Sequence, residues 1–273
     1  MKPEDNRIAQ CFARLRQEQR KAFVVYLGAG DPDLAFTEAL VPALAEAGSD
    51  IIELGMPFSD PMADGPTNQS AAERGLASGT TLRGLFASVG RMRQRSQVPI
   101  LLYTYLNPIL AYGAERFAAD AVACGIDGVL ILDLPPDETP QFLPSLREYG
   151  LATVCLATPN TRDERKAFLA AESAGFMYYV CRLGVTGERD SLPEDLQAQV
   201  ARLRGDGHVP VCIGFGISTP EQAATAARYA DGVVVGSHLV RLIERHGRDA
   251  DGVQRVCERA AALAAAVHGA RAS

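Results

Sequence analysis

The stretch DIIELGMPFSDPMADGPT, residues 50–67, contains a predicted strand, the loop that follows it and the most unusual pair of acidic residues in the chain. A short apolar run leads to Glu53, and a second carboxylate, Asp64, follows eleven residues later. Two prolines and the pair Ser59 and Asp60 separate them, which predicts a shaped loop rather than a helix. A carboxylate that ends a strand and faces another from the following loop suits acid–base catalysis. The alternative interpretation is a solvated glutamate followed by a polar turn.

Short apolar runs of the same kind recur along the whole chain, and segments rich in Ala, Leu and Arg with helical spacing separate them. Strands that are continuously apolar are typical of parallel strands buried on both faces. Eight strand–helix units over about 250 residues predict an α/β fold, a single (β/α)8 TIM barrel. A doubly wound open sheet is the alternative, because a count of units does not distinguish the two. The predicted strands are Phe23–Leu27, Asp50–Leu54, Val98–Tyr103, Gly128–Leu132, Ala152–Leu156, Met177–Cys181, Val209–Ile213 and Gly232–Val235.

The two ends of the chain carry additional helical patterns. Residues 7–19 place Ile8, Cys11, Phe12 and Leu15 on one face, as an amphipathic helix that caps the bottom of a barrel would. The Ala-rich segment 253–267 is predicted to be the last outer helix. No linker or break in composition divides the sequence, so we expect residues 1–273 to form one domain.

Composition limits the class of protein. The 27 lysines and arginines and 33 aspartates and glutamates give a net charge of −6, and the interspersed charges argue against a nucleic-acid surface. No apolar run approaches the roughly 18–20 residues of a membrane helix, and the charged N-terminal residues do not resemble a secretory signal. The six cysteines never adopt C-x-x-C spacing and the four histidines show no metal spacing. We therefore expect a cytoplasmic protein without a metal or a disulfide framework.

A barrel carries its chemistry at the C-terminal ends of its strands and in the loops that follow. Besides Glu53 and Asp64, polar residues follow the third and fourth strands, namely Tyr105, Asn107 and Asp133. Glycine-rich segments follow the last three strands, at residues 184–187, 214–218 and 236–237. Because glycine lets backbone N–H groups approach an anion closely, the last two of these segments predict a site for a phosphorylated ligand.

The remaining reactive groups narrow the chemistry further. No lysine ends a strand, and no Ser/His/Asp or Cys/His set emerges, so Schiff-base and nucleophilic mechanisms find no support. Carbon–carbon bond cleavage here would have to rely on carboxylates as acids and bases. His238 follows Gly236 and Ser237 and is close enough in sequence to reach a bound phosphate. The favoured interpretation is that it has no specific role.

Seven blocks of this sequence resemble the α subunit of tryptophan synthase over nearly the full length of the chain. They are GAGDPD (28–33), ELGMPFSDPMADGPTNQ (53–69), YLNPILAYG (105–113), DLP (133–135), RLGVTG (182–187), GFGIS (214–218) and VVGS (234–237). The resemblance implies a (β/α)8 barrel that cleaves indole-3-glycerol phosphate to indole and glyceraldehyde 3-phosphate. It also implies an α2β2 assembly in which the β subunit alone carries pyridoxal phosphate, with no cofactor in this chain.

Carried over position by position, the resemblance assigns roles to individual residues. Glu53 matches the acid–base carboxylate, and Asp64 matches the group that accepts the indole N–H and stabilises positive charge on that nitrogen. Other residues match positions that contact the substrate or the partner. The implied substrate contacts are Tyr26, Tyr105, Tyr178, Thr186, Gly187, Gly216, Gly236 and Ser237, with Thr186 also placed to steady Asp64. The implied contacts with the β subunit are Asp60, Asn107 and Pro135.

Departures from the family pattern bear on role rather than on the reaction. They include Asn68, where many relatives have an aliphatic residue, and Tyr26 and Gly28, which bear on the indole pocket. The family also contains free-standing lyases that release indole, and the motifs do not separate them from the subunit. A non-catalytic partner that only activates a β subunit is disfavoured by the presence of both Glu53 and Asp64. Another phosphate-binding barrel, such as an isomerase, would place different acid–base groups at the strand ends.

Overall fold

A closed barrel of eight parallel strands forms the centre of the protein, and each strand pairs with its neighbours in chain order, β8 pairing with β1. The computed structural model describes residues 6–180, 196–204, 209–214 and 216–270. This confirms the predicted (β/α)8 fold over the alternative of an open sheet. The strands are β1 (Ala22–Gly28), β2 (Ile51–Gly55), β3 (Ile100–Thr104), β4 (Gly128–Ile131), β5 (Ala152–Ala157), β6 (Met177–Val180), β7 (Val211–Gly214) and β8 (Gly232–Val235).

Helices surround the barrel and close one end of it. Within the described ranges, none of them is both long enough and apolar enough to cross a membrane. The helices are α1 (Arg7–Gln17), α2 (Leu34–Glu46), α3 (Pro66–Ala77), α4 (Leu82–Met92), α5 (Leu106–Tyr112), α6 (Ala114–Cys124), α7 (Thr139–Glu148), α8 (Asp163–Glu172), α9 (Leu196–Arg204), α10 (Pro220–Tyr229), α11 (Ser237–His246) and α12 (Gly252–His268).

Strand starts differ from the predicted bounds for a chemical reason. β3 and β7 begin directly after Pro99 and Pro210, two residues later than predicted, because proline has no N–H to donate to a neighbouring strand. Asp50 lies just before β2 rather than within it. Three helices, α3, α5 and α11, were not predicted from the sequence. Each follows a strand at the end of the barrel that carries site residues; proline and glycine interrupt the helical pattern of α3, and proline that of α5, whereas α11 contains neither.

The barrel interior is filled from below by α1. The inward-facing side chains of the strands form one apolar cluster with Ile8, Cys11, Phe12 and Leu15, the four residues predicted to face the barrel bottom. All four are buried, so the predicted cap is confirmed. At the upper edge of the same cluster the inward positions become aromatic, with Tyr103 and Tyr178 among them. Helix α1 therefore acts as a plug at the bottom of the barrel, and the opposite mouth is its open end.

Polar side chains in front of the even-numbered strands accept hydrogen bonds from backbone N–H groups of the odd-numbered strands. The carboxylate of Asp50 accepts the N–H of Phe23 in β1 at 2.9 Å, and that of Asp231 accepts the N–H of Val211 in β7 at 3.0 Å. Other residues do the same for β3 and β5: the Asp127 carboxylate accepts from Ile100 at 2.8 Å, and the Ser173 hydroxyl accepts from Cys155 at 3.3 Å. These contacts fix the strand register at the bottom of the barrel.

Asp127 is bound by two arginines in addition to its strand contact. Its carboxylate accepts hydrogen bonds from Arg7 of α1 at 2.6 Å and from Arg93 at the end of α4 at 2.8 Å, in addition to Ile100 N. Its side chain is only 1% exposed. A buried carboxylate with two cationic partners ties the plug helix to the barrel wall.

We expect Asp127→Asn to destabilise the fold strongly, because it removes the negative charge and leaves the Arg93 guanidinium, 10% exposed, without its ionic partner. Breaking a buried ion pair from one side typically costs about 3–5 kcal/mol. The free energy of unfolding, measured by urea denaturation, should fall by roughly 3 kcal/mol. The control is Asp251→Asn, which breaks the half-exposed pair with Arg255 and should change stability by less than about 1 kcal/mol. Equal losses for both variants would contradict this account.

Candidate active site

Glu53 lies in the interior of the barrel. It occupies the third position of β2 between Tyr26 of β1 and Leu101 of β3 in register, and it shares its inward-facing parity with Ile51 at the level of the plug. The side chain is fully buried at 0% exposure. Neither carboxyl oxygen has a hydrogen-bond partner among the described residues. Such a group has nothing within the described chain to stabilise a negative charge.

Burial raises the pKa of the Glu53 carboxyl from its ordinary value of 4.5 to about 8. The cause is desolvation alone, because low-dielectric surroundings disfavour the charged form. Glu53 is therefore mostly a neutral carboxylic acid at pH 7, able to give a proton, and its conjugate base is strong enough to take one back. That combination is what a general acid–base catalyst near neutral pH requires.

Asp64 is also buried, at 5% exposure, yet it is surrounded by donors. The Tyr103 hydroxyl donates to Oδ1 at 2.8 Å and the Tyr105 hydroxyl donates to Oδ2 at 2.8 Å. The Asn68 amide nitrogen lies 3.4 Å from Oδ1. The backbone N–H of Ala63 donates to the Tyr105 hydroxyl at 3.1 Å, which fixes the direction of that phenol.

Opposing effects set the pKa of Asp64. Burial raises it, and the hydrogen bonds from Tyr105, Tyr103 and Asn68 lower it, so that the pKa stays above its usual value but by less than burial alone would give. Desolvation also raises the pKa of both tyrosines far above neutral pH, so they remain donors. The two carboxyl groups therefore differ in their environment: within the described part of the chain, Asp64 has three donors and Glu53 has none.

Aromatic rings form the wall of this mouth. Tyr26 packs edge-on against Tyr103 with ring centroids 4.9 Å apart, and Phe58 stacks on Tyr105 at 5.0 Å. The Tyr26 ring fits because Gly55 has no side chain: a Cβ there would lie 2.5 Å from the Tyr26 hydroxyl oxygen. Gly214 makes room for the ring of Tyr178 in the same way. These rings give the mouth an aromatic lining that also carries phenol groups.

The loops after β7 and β8 lie at the same end of the barrel. Gly216 adopts φ +38°, a region that favours glycine, and Gly236 immediately precedes α11. Among the residues that the structure describes, no side chain caps α11, whose first residue is the buried Ser237, and its leading N–H groups have no side-chain acceptor there. In contrast, a capping box closes α10. The uncapped N-terminus of α11 is thus the better anion site of the two.

His238 takes part in a local network rather than standing alone. Its Nε2 accepts a hydrogen bond from Nε of Arg259 at 2.9 Å, and the same guanidinium donates to the Ser218 carbonyl at 2.5 Å. Arg259 of α12 thereby links the loop after β7 to the start of α11. This gives His238 a defined structural contact that its sequence position alone did not reveal.

Three residues predicted to face a partner are all exposed on the described surface. Asp60, Asn107 and Pro135 follow β2, β3 and β4 at the open end of the barrel. The loop that contains Asp60 also presents Met62, which is 88% exposed.

Asp133, predicted to end the fourth strand, lies beyond it, because β4 ends at Ile131. Its carboxylate accepts the N–H of Leu106, the first residue of α5, at 2.7 Å. The contact that Asp133 makes is therefore structural.

The predicted site residues fall into three groups. Glu53, Asp64, Tyr26, Tyr105 and Tyr178 are inward-facing or buried at the open mouth, and Gly216, Gly236 and Ser237 follow the last two strands at the same end. Thr186 and Gly187 lie outside the described residues. Tyr103 was missed by the sequence reasoning, although its inward parity with Leu101 in β3 was a signal that could have identified it.

Comparison with known proteins gives consistent results. The sequence profile described as tryptophan synthase alpha chain matches residues 12–268. The chain is 55% identical to the tryptophan synthase alpha chain of Geobacter sulfurreducens over 240 residues, 88% of this chain and 91% of that one. It is 46% identical to that of Acidiphilium cryptum over 273 residues, 97% and 99% of the two chains. The structure is similar to tryptophan synthase subunit alpha from Legionella pneumophila, with a TM-score of 0.87 and 36% identity over 96% and 98% of the chains. A chain of Mycobacterium tuberculosis tryptophan synthase gives a TM-score of 0.88 at 37% identity over 96% and 98%.

The raised pKa of Glu53 predicts a pH-dependent cost to folding. Between about 4.5 and about 8 the native state holds a proton on Glu53 that the unfolded state has released, so stability falls as pH rises. Glu53→Gln removes this titration. Its stability relative to wild type should rise by up to about 1.4 kcal/mol per pH unit across that window and level off above it.

Urea denaturation at pH 5.5, 7.0 and 8.5 measures this difference, with Glu258→Gln on the exposed face of α12 as the matched control. The free energy of unfolding of the control should change with pH in parallel with that of wild type. If the free energy of unfolding of Glu53→Gln also changes in parallel with wild type over the whole range, the raised pKa of Glu53 is wrong.

Proposed function

The chain belongs to the tryptophan synthase alpha chain family, and we propose how its own residues carry out that family's carbon–carbon lyase reaction. The reaction is the retro-aldol cleavage of indole-3-glycerol phosphate to indole and glyceraldehyde 3-phosphate. The observation that carries the proposal is the pairing of two carboxyl groups in one aromatic mouth: Glu53 is fully buried with no hydrogen-bond partner among the described residues, and Asp64 is hydrogen-bonded.

Glu53 acts as both acid and base. As the neutral acid, it gives its proton to C3 of the indole ring, which converts the ring into a leaving group. As the resulting carboxylate, it takes the proton from the hydroxyl on the adjacent glycerol carbon. The carbon–carbon bond breaks, its electron pair returns to the ring, and the hydroxyl carbon becomes the aldehyde. Glu53 ends the cycle protonated, as it began, which agrees with a pKa of about 8.

Asp64 stabilises the charge that this protonation creates. When C3 receives a proton, positive charge develops on the ring nitrogen, and an anionic carboxylate that accepts the N–H lowers the energy of that intermediate. The donors Tyr103 and Tyr105 support the anionic form despite burial. The rings of Tyr26 and Tyr178 supply flat walls for the indole.

The phosphate of the substrate binds at the loops after β7 and β8. Gly216, Gly236 and Ser237 expose backbone N–H groups there, and the uncapped start of α11 adds its partial positive charge. On the resemblance of their motif alone, Gly187 is assigned to the same end of the substrate and Thr186 to a contact with Asp64.

A β subunit is the partner we propose, in an α2β2 assembly whose β chains hold the pyridoxal phosphate. The exposed Asp60, Asn107 and Pro135 surround the barrel mouth, and the 88% exposed Met62 offers an apolar contact beside them. Indole released at this mouth would enter the partner directly. We also propose a cytoplasmic location, which the free thiols of the described cysteines support.

Indole release by the purified chain, alone and with a β subunit added, tests the function. Slow release that rises by roughly tenfold or more with β supports the subunit role. Fast release that ignores β supports the alternative, a free-standing lyase. No release under either condition would leave only a non-catalytic partner and would contradict the proposal.

We expect Glu53→Gln to abolish indole release, because glutamine neither donates nor accepts the proton. Asp64→Asn should lower kcat by roughly a hundredfold or more through loss of charge stabilisation. Binding of glycerol phosphate, measured as competitive inhibition or by calorimetry, should persist in both variants. Near-normal turnover in either variant would refute the role assigned to that residue.

Ser237→Asp should weaken substrate binding, because it places a carboxylate at the helix start that holds the phosphate. An acidic residue in the first helical turn favours helix stability, so the fold should persist. We expect KM to rise by roughly tenfold or more. Ser237→Asn is the control, because asparagine has the size of aspartate without its charge. Equal KM values for the two variants would place the phosphate elsewhere.

A further inference from the structure

We propose that Tyr103 and Asn68 are positioning residues that hold the Asp64 carboxylate in one orientation and leave a single acceptor position, on Oδ2, for the ring N–H of the substrate. The proposal rests on the function proposed above for Asp64. It adds two residues that act through the aspartate, together with the atom to which the substrate binds.

Both donors come from regular elements. Tyr103 is the fourth residue of β3 and pairs in register with Gly55 of β2. Asn68 is the third residue of α3. Asp64 itself lies two residues before that helix. The carboxylate is therefore held by a strand and a helix start on either side, and its direction is set before substrate arrives.

The two oxygens of Asp64 are occupied unequally. A carboxylate oxygen offers about two lone-pair positions. Oδ1 faces both the Tyr103 hydroxyl at 2.8 Å and the Asn68 amide nitrogen at 3.4 Å. Oδ2 accepts only from the Tyr105 hydroxyl, at 2.8 Å, among the described residues. One position on Oδ2 thus remains for an N–H donor.

The orientation of Asn68 agrees with this arrangement. Its Oδ1 accepts no hydrogen bond from the described residues, although the side chain is buried. The reverse orientation of the amide would direct that oxygen at the Asp64 carboxylate, which is repulsive. The amide nitrogen of Asn68 therefore donates to Asp64, although the amide oxygen has no hydrogen-bond partner among the described residues.

The ring of Tyr103 is itself fixed. It packs edge-on against Tyr26 at 4.9 Å, which leaves its hydroxyl directed at Asp64. The titratable groups that share this mouth with Asp64 are Glu53 from β2, Tyr26 from β1 and Tyr178 from β6, together with the two tyrosines that donate to it. The described side chains that donate hydrogen bonds to the Asp64 carboxylate are all neutral, so its anionic form depends on them.

Removing one donor should therefore act on Asp64 in two ways. Tyr103→Phe keeps the ring but opens a position on Oδ1, so the carboxylate loses both its orientation and part of its stabilisation as an anion. The pKa of Asp64 should rise, and kcat/KM should fall by roughly tenfold or more at neutral pH. Asn68→Leu should have a smaller effect in the same direction, because its contact is longer.

Carbon-13 NMR of aspartate-labelled protein measures the titration of Asp64 without any catalysis, with the signal assigned through Asp64→Asn. We expect the midpoint to move to higher pH in Tyr103→Phe. The acidic limb of the pH profile of kcat/KM should move in the same direction. The matched control is Tyr112→Phe, which removes a tyrosine-to-aspartate hydrogen bond to Asp120 on the outer helices. It should leave the Asp64 midpoint and kcat/KM unchanged.

An unchanged Asp64 midpoint in a folded Tyr103→Phe protein would overturn the proposal, as would a kcat/KM within twofold of wild type. Circular dichroism confirms that each variant is folded, and Asn68→Leu provides a second test if Tyr103→Phe is not. If wild type itself releases no indole while the midpoint still moves, the proposed function fails and the positioning of Asp64 stands.

Discussion

A carboxylic acid that is sealed inside the barrel and has no described partner is the constraint on which the rest of the site depends. Glu53 can carry a proton at neutral pH only because water is kept from it. The plug helix α1 closes the barrel below, and the aromatic rings of Tyr26 and Tyr103 border it above. The ion pair between Asp127 and Arg7 of α1 therefore supports the closed interior that the proposed role of Glu53 requires.

The two carboxyl groups obtain opposite roles from one pocket because their immediate neighbours differ. Glu53 faces apolar groups and remains neutral, whereas Asp64 receives hydrogen bonds from Tyr103 and Tyr105 that favour its charge. The fold makes this separation simple, since one group is on a strand within the barrel and the other is on a loop at its rim. The burial of Glu53 costs stability, so a site of this kind must be supported by the packing around it.

Much of this arrangement could be predicted from the sequence. The eight apolar runs gave the barrel, because buried parallel strands need uninterrupted apolar residues. Glu53 and Asp64 stood out through their positions after such a run and within a proline-rich loop. In contrast, the hydrogen bond from Tyr103 to Asp64 could not be predicted: parity directs Tyr103 into the barrel, but its contact with a loop after another strand depends on the closure of the barrel. The same holds for Arg259, which meets His238 from a helix 21 residues later.

The most direct test of the account is the protonation state of Glu53 in the resting enzyme. Infrared difference spectra of wild type and Glu53→Gln, with glutamate labelled by carbon-13, isolate the carboxyl stretch of this one residue. We predict a protonated carboxylic acid band at neutral pH that disappears as pH rises through about 8. A carboxylate band at neutral pH, with no protonated form, would show that the site has no acid to begin the reaction.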